Sequence, residues 1–122
     1  MLGVADSGAA GWRDMIRYSD NLYLTEYTKK KLSEIRIKLF TGAGMTDIWF
    51  ILLSENGEDV FDIVPAFMFK QKYYRKLDHT IIGIAESSEA AFDLVQYIVE
   101  EHFRVTGTYM ELRRDIEERV LG

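Results

Sequence analysis

His79-Thr80-Ile81-Ile82-Gly83-Ile84-Ala85, running through Glu86-Ser87-Ser88 into the stretch Glu89 to Gly107, decides how this chain folds. Thr80 to Ala85 is a short apolar run, as a buried strand requires. Glu86-Ser87-Ser88 supplies a turn and a helix cap, and Glu89 to Val105 repeats with helical period. On a helical wheel Ala91, Phe92, Leu94, Val95, Ile98, Val99, His102, Phe103 and Val105 share one half. Asp93, Gln96, Tyr97, Glu100, Glu101 and Arg104 fill the other, and Gly107 is the natural stop. This strand-to-helix unit belongs to α/β proteins, whose ligands often sit at such a junction. Here the junction holds neither a glycine-rich phosphate cradle nor a recognisable catalytic group.

Working outward, Glu26 to Phe40 is expected to be a helix. Leu24, Thr28, Leu32, Ile35 and Leu39 fall on one narrow stripe, Thr25 is its cap, and Gly42 with Gly44 ends it. Ile48-Trp49-Phe50-Ile51-Leu52-Leu53 is apolar without alternation. That pattern predicts a central strand covered on both faces. Residues 55–77 admit two readings. As a helix, the acidic residues fall in its first turn, where the dipole favours them, and Val60, Val64, Phe67 and Met68 share a face. Pro65 must then kink or restart it. As a hairpin, Asn56-Gly57 is the turn and Val60 to Val64 a second strand, at the expense of aspartates in a strand. The helix is preferred. Tyr109 to Leu121 closes the chain as a short helix with Arg113–Glu117 and Arg114–Glu118 at helical spacing.

The expected fold is therefore a small single α/β domain over residues 15–122. Its order is helix, strand, helix, strand, helix, helix, with two or three strands covered by helices; the alternative is α+β with the Asn56-Gly57 hairpin. Residues 1–14 stand apart as a flexible leader, or as one foreign to the natural chain with Met15 as its start. They lack the basic start and apolar middle of a signal peptide. The chain of 122 residues is 48% hydrophobic and 29% charged, which suits a folded domain rather than a disordered one. The net charge of −5 repels nucleic acid and anionic membrane unless a local basic patch overrides it. No cysteine is present, which removes disulfides, thiolate zinc sites and thiol nucleophiles, and fits a cytoplasmic location. No apolar run is long enough for a membrane helix.

The Lys-rich first helix, the strand Asp47 to Ser54, and Phe61-Asp62-Ile63 running into Lys70-Gln71-Lys72-Tyr73-Tyr74 form one recurring pattern. Ile81-Ile82-Gly83-Ile84-Ala85 before Glu89-Ala90-Ala91 completes it. From Tyr18 to Gly107 the chain resembles a family of small uncharacterised proteins from clostridia-type bacteria. The resemblance implies an α/β fold and the Met15 start, and it implies no functional residues.

Among individual residues, His102 lies near the centre of an apolar helix face, where an imidazole needs a hydrogen-bond partner or a metal. It is expected to be structural; with His79 the only other histidine, no metal and no cofactor are expected. Lys70, Lys72, Tyr73, Tyr74, Arg75 and Lys76 mix cations with aromatics as nucleic-acid binders do. Solvated cations beside packed tyrosines explain the same pattern, so nucleic acid is not the expected partner. Ser87 or Ser88 is expected to be a plain cap, not a nucleophile. Asp59, Asp62 and Glu86 would form an acid/base set only if the fold joined their loops. Tyr109, Leu112, Ile116 and Val120 make a thin apolar stripe suited to docking on the domain or on a second subunit. With a sheet so narrow, pairing of subunits is expected to complete the burial of its central strand. The favoured reading is a non-enzymatic cytoplasmic homodimer acting through protein contacts. A nucleic-acid or nucleotide-binding module at residues 69–76 and an enzyme with a carboxylate site are the alternatives.

Overall fold

Thr25 begins the helical layer on one side of the molecule and Ser87 begins the layer on the other, each by capping a helix that leaves the end of a strand. The structure is a computed structural model that describes residues 16–54, 60–70 and 79–121. The leader, the Asn56-Gly57 turn, Asp59 and the segment Lys72 to Lys76 lie outside the described residues. The elements are β1 (Ile16–Leu24), α1 (Glu26–Lys30), α2 (Leu32–Thr41), β2 (Trp49–Leu53), β3 (Phe61–Pro65), a 3-10 turn (Ala66–Lys70), β4 (His79–Ala85), α3 (Ser88–Thr106) and α4 (Leu112–Leu121). Four strands form one mixed sheet in the order β1-β4-β2-β3, with β1 parallel to β4 and the other neighbours antiparallel.

The expected order is corrected in two places. First, Ile16 to Leu24 is a strand that the sequence reading left unassigned. Tyr18 pairs with Ile81 and Tyr23 with Gly83, so β1 takes five steps where β4 takes two. Ser19-Asp20-Asn21 occupies that bulge, with the Asn21 amide donating to Ser19 Oγ at 3.2 Å. Second, the preferred helix over residues 55–77 gives way to the hairpin alternative over its described part. β3 lies antiparallel to β2, with Phe50 opposite Val64 and Leu52 opposite Asp62. Asp62 is tolerated because β3 is an edge strand where its carboxylate reaches solvent. The Glu26 to Phe40 helix is interrupted at Lys31, whose backbone (φ −101°, ψ 5°) leaves the helical region.

The end signals act as expected. Thr25 caps α1, Gly42 ends α2 and Gly107 ends α3, both glycines in the left-handed conformation (φ 79° and 78°). Packing follows the alternation along β2, while β4 puts Ile81 and Ile84, three residues apart, on one face because its register shifts beside Ile51 and Leu52. Phe50, Leu52, Ile81 and Ile84 join Ile35, Leu39 and Phe69 beneath α1 and α2. Ile51, Leu53, Ile82 and Ala85 join Ala91, Ile98 and Ile116 beneath α3 and α4. Each of these Ile, Leu and Phe side chains contributes about 1.5–3 kcal/mol of transfer free energy. β2 is therefore covered on both faces within a single chain. A second subunit is not needed to bury it, which removes the sequence-based reason for expecting one.

Candidate functional site

Adjacent parallel strands whose following helices leave to opposite faces create a crevice where open α/β sheets bind ligands. β1 and β4 are such a pair, since α1 packs on one face and α3 on the other. Here the crevice is closed by the chain's own hydroxyls. Thr28, fully buried, donates to the Ile84 carbonyl at 2.8 Å and accepts from the Thr25 amide at 2.9 Å. The Thr25 hydroxyl donates to Glu86 Oε1 at 2.7 Å and accepts from the Thr28 amide at 3.2 Å. Ser87 Oγ accepts from the Ala90 amide at 3.0 Å, so it is the cap that the sequence indicates. Glu86 ties the end of β4 to the end of β1 through Thr25, and Ser87 only starts α3.

Asp62 and Glu86 are far apart. Ala85 is opposite Trp49, Trp49 is opposite Pro65, and Asp62 lies three residues back along β3. Two strand spacings of about 5 Å and three residues of about 3.4 Å separate them, well beyond shared acid/base chemistry. The two histidines are also apart. His79 packs edge-on to Phe69 beneath α1 and α2, ring centres 5.0 Å apart. His102 belongs to α3 on the opposite face. Among the described residues no group of three or more His, Asp or Glu side chains is placed to hold a metal ion. No helix among them is long and apolar enough to cross a membrane.

His102 is 1% exposed. Its Nδ1 lies 3.2 Å from Asp115 Oδ2 and its Nε2 3.1 Å from the Met110 carbonyl oxygen. Both facing atoms are acceptors, and each contact is a hydrogen bond when the ring nitrogen on that side carries the proton. The imidazole thereby ties α3 to the turn that follows it and to α4, a structural role as expected.

A surface cleft of about 260 Å³ opens between α1–α2 and the loop before β2, lined by Tyr27, Lys31, Glu34, Lys38, Thr46 and Asp47 over Ile35 and Ile48. Its charges answer one another. Lys38 Nζ lies 3.2 Å from Glu34 Oε2, and this contact, reinforced by the charges of Lys38 and Lys31, holds the Glu34 carboxyl below the usual range.

The expected contact stripe on the last helix divides. Ile116 is 2% exposed and Leu112 half-buried, both packed into the core beneath α3 and α4. Tyr109 stays exposed and stacks on Phe103, ring centres 4.5 Å apart. Val120 lies in α4, its side chain outside those described. Of the basic-aromatic segment, Phe69 is a core residue meeting Phe50 edge-on at 5.3 Å. Lys70 ends the 3-10 turn, its side chain outside those described; Lys72, Tyr73, Tyr74, Arg75 and Lys76 lie beyond the described residues.

Among the described residues, an aligned set of exposed apolar side chains lies on α3. On α3 only Ala91, Ile98 and His102 are fully buried. Phe92, Val99 and Phe103 share an arc of about 40°, roughly a quarter turn from that buried line. Phe92 is 64% exposed and Phe103 40%. The opposite flank of α3 faces β1, because Tyr23 donates to Glu101 Oε1 at 2.5 Å and meets the Tyr97 ring edge-on. The Phe92–Val99–Phe103 flank therefore lies on the β3 side, above the edge of the sheet. The helical wheel does not separate these residues from the buried ones, because eight apolar residues and His102 share one half of it. The signal lay in the seven- and four-residue spacing of Phe92, Val99 and Phe103, which forms a line separate from Ala91, Ile98 and His102.

No protein family, characterised protein or solved structure matches this chain.

Proposed function

We propose that this protein acts through contacts with other protein chains, foremost a second copy of itself, in a reducing compartment such as the cytoplasm. The observation that carries this reading is the uncharged flank of α3. Phe92, Val99 and Phe103 fall on one line along the helix, and Tyr109, stacked on Phe103, and Met110 extend it at 58% and 73% exposure. Isolated surface apolar residues are ordinary, whereas a line of aromatics along one helix flank is the pattern of a contact surface. Aromatic side chains with few rotatable bonds also order at low entropic cost on binding.

Light scattering tests the reading. At tens of micromolar the mass should be twice the chain's 14.2 kDa, and Phe92→Ser with Phe103→Ser should return it toward one chain while circular dichroism stays unchanged. A single-chain mass for the unaltered protein would overturn self-association.

A further inference from the structure

Resting on that reading of self-association, we infer that the second copy adds to the edge of the sheet, β3 against β3 about a twofold axis at Ile63. Parity along the hairpin fixes which backbone groups are available. The Ser54 amide donates to the Val60 carbonyl and the Ala66 amide to the Ile48 carbonyl, each at 2.9 Å. With Trp49 opposite Pro65 and Leu52 opposite Asp62, residues 60, 62, 64 and 66 turn their amides and carbonyls toward β2. Phe61, Ile63 and Pro65 turn theirs outward, and nothing pairs with them among the described residues.

This outward set is self-complementary. Antiparallel pairing centred on Ile63 sets Ile63 against its copy, with a hydrogen bond in each direction. It sets Phe61 against Pro65 of the other chain, where the Phe61 amide donates to the proline carbonyl. Proline lacks only the N–H, and in this register that loss costs one bond at each end of the pairing. Asp62 falls opposite Val64 of the other chain, so no like charges meet directly.

The layer above the strand fits the same partner. The side chains of Phe61 and Ile63 belong to the core under α3, and the α3 flank lies beside them. Phe92 to Phe103 spans about 16 Å of helix, and Phe61 to Pro65 about 14 Å of strand, so the two apolar edges run together. With α3 lying over β4, β2 and β3, the two copies of α3 would run antiparallel about 14 Å apart. That exceeds the 8–10 Å of directly packed helices, and the gap is one that long aromatic side chains fill. The flank carries no charged side chain to be desolvated.

The chain has no cysteine, so introduced thiols are unique. In the inferred register Asp62 and Val64 of the two copies face each other at a Cα separation of about 4.5 Å, within disulfide reach. Asp62 to Asp62 and Val64 to Val64 each exceed about 7 Å, beyond it. Asp62→Cys and Val64→Cys, purified separately and mixed under mild oxidant, should cross-link several times faster than either alone. On the unaltered chain, the amides of Phe61 and Ile63 should exchange hydrogen more slowly as concentration rises through the association range. A twofold mass without mixed cross-linking and without that protection would overturn edge pairing and leave self-association standing. A single-chain mass would overturn both.

Discussion

Replacing His102 by alanine tests whether one buried imidazole holds the last helix to the rest of the domain. The ring is 1% exposed and spans from α3 to Asp115 on α4 and to the Met110 carbonyl. Three contributions are lost. The packing of a buried ring contributes about 1–2 kcal/mol, somewhat less than the 3–5 kcal/mol of a larger Phe-to-Ala truncation. A hydrogen bond to a charged group contributes about 1.5–3 kcal/mol, and one to a carbonyl about 1 kcal/mol. Against these, the Asp115 side chain is 32% exposed and Met110 73%, so water replaces part of what the ring supplied. The net expectation is a loss of about 2–3 kcal/mol, or a fall in Tm of roughly 8–12 °C for a domain of this size. Asp115→Asn keeps an acceptor in the same place and should cost about 1 kcal/mol. Urea unfolding followed by far-ultraviolet circular dichroism gives both values, and hydrogen exchange should show α4 amides opening first in His102→Ala. A His102→Ala protein within about 0.5 kcal/mol of the parent, less than one net hydrogen bond, would refute the reasoning. So would an Asp115→Asn protein destabilised as much as His102→Ala, because the carboxylate rather than the ring would then be the anchor.

Two further expectations follow from single side chains. Gly83→Ala should cost about 1–3 kcal/mol by overpacking. A β-carbon there would lie 3.1 Å from the Tyr23 carbonyl oxygen and from Ile51 Cδ1, and the backbone oxygen has no rotamer by which to retreat. An unchanged urea midpoint would show that the β1–β4 pairing yields at this point. Tyr18, partly buried with the Arg36 guanidinium 4.6 Å from its ring centre, has its phenol raised above the usual value by burial, which the arginine charge only partly offsets. The folded state then holds this proton more tightly than the unfolded chain does. Its contribution to stability is complete below the unfolded value of about 10 and is lost as pH rises beyond it. Absorbance titration of phenolate should lose a component above the usual tyrosine range in Tyr18→Phe, and stability of that variant should fall less steeply above about pH 10. Loss of a lower-pH component instead would contradict the burial argument.

Where one local rule acted alone, the sequence reading and the structure agree. Ser87, Gly107, Thr25 and Gly42 mark helix ends because a cap is decided by a residue and its nearest neighbours. β2 was legible because six consecutive apolar residues leave no polar face. β1 was hidden by Ser19-Asp20-Asn21, residues that strands disfavour, sitting in a bulge whose accommodation depends on β4 more than fifty residues away. β3 was mistaken for helix because its acidic residues suit a helix start equally well. Edge position, which makes Asp62 tolerable, is a property of the sheet and not of the segment. His102 could be assigned to the structure from its apolar surroundings, but its partners Asp115 and Met110 depend on how the final turn folds back.

Pro65 shows how one residue changes meaning once the sheet is known. In the sequence reading Pro65 is a kink or restart that the preferred helix must accommodate. In β3 it occupies an outward position, where the missing N–H costs no bond to β2. The same parity exposes the amides of Phe61 and Ile63, so Pro65 leaves a short edge with only two outward donors. An edge of that kind is a poor template for indiscriminate strand addition, because one end of any pairing meets a residue that cannot donate. Twofold self-pairing places Phe61 at that end and keeps a bond to the proline carbonyl. Pro65 is thus expected to restrict pairing at β3 while leaving one symmetric register open. Pro65→Val, which adds an outward donor, should keep the fold and tighten the dimer, because it restores one hydrogen bond at each end of the pairing. If light scattering over a dilution series finds the dimer dissociating at the same concentration before and after that change, proline is not what limits pairing at this edge.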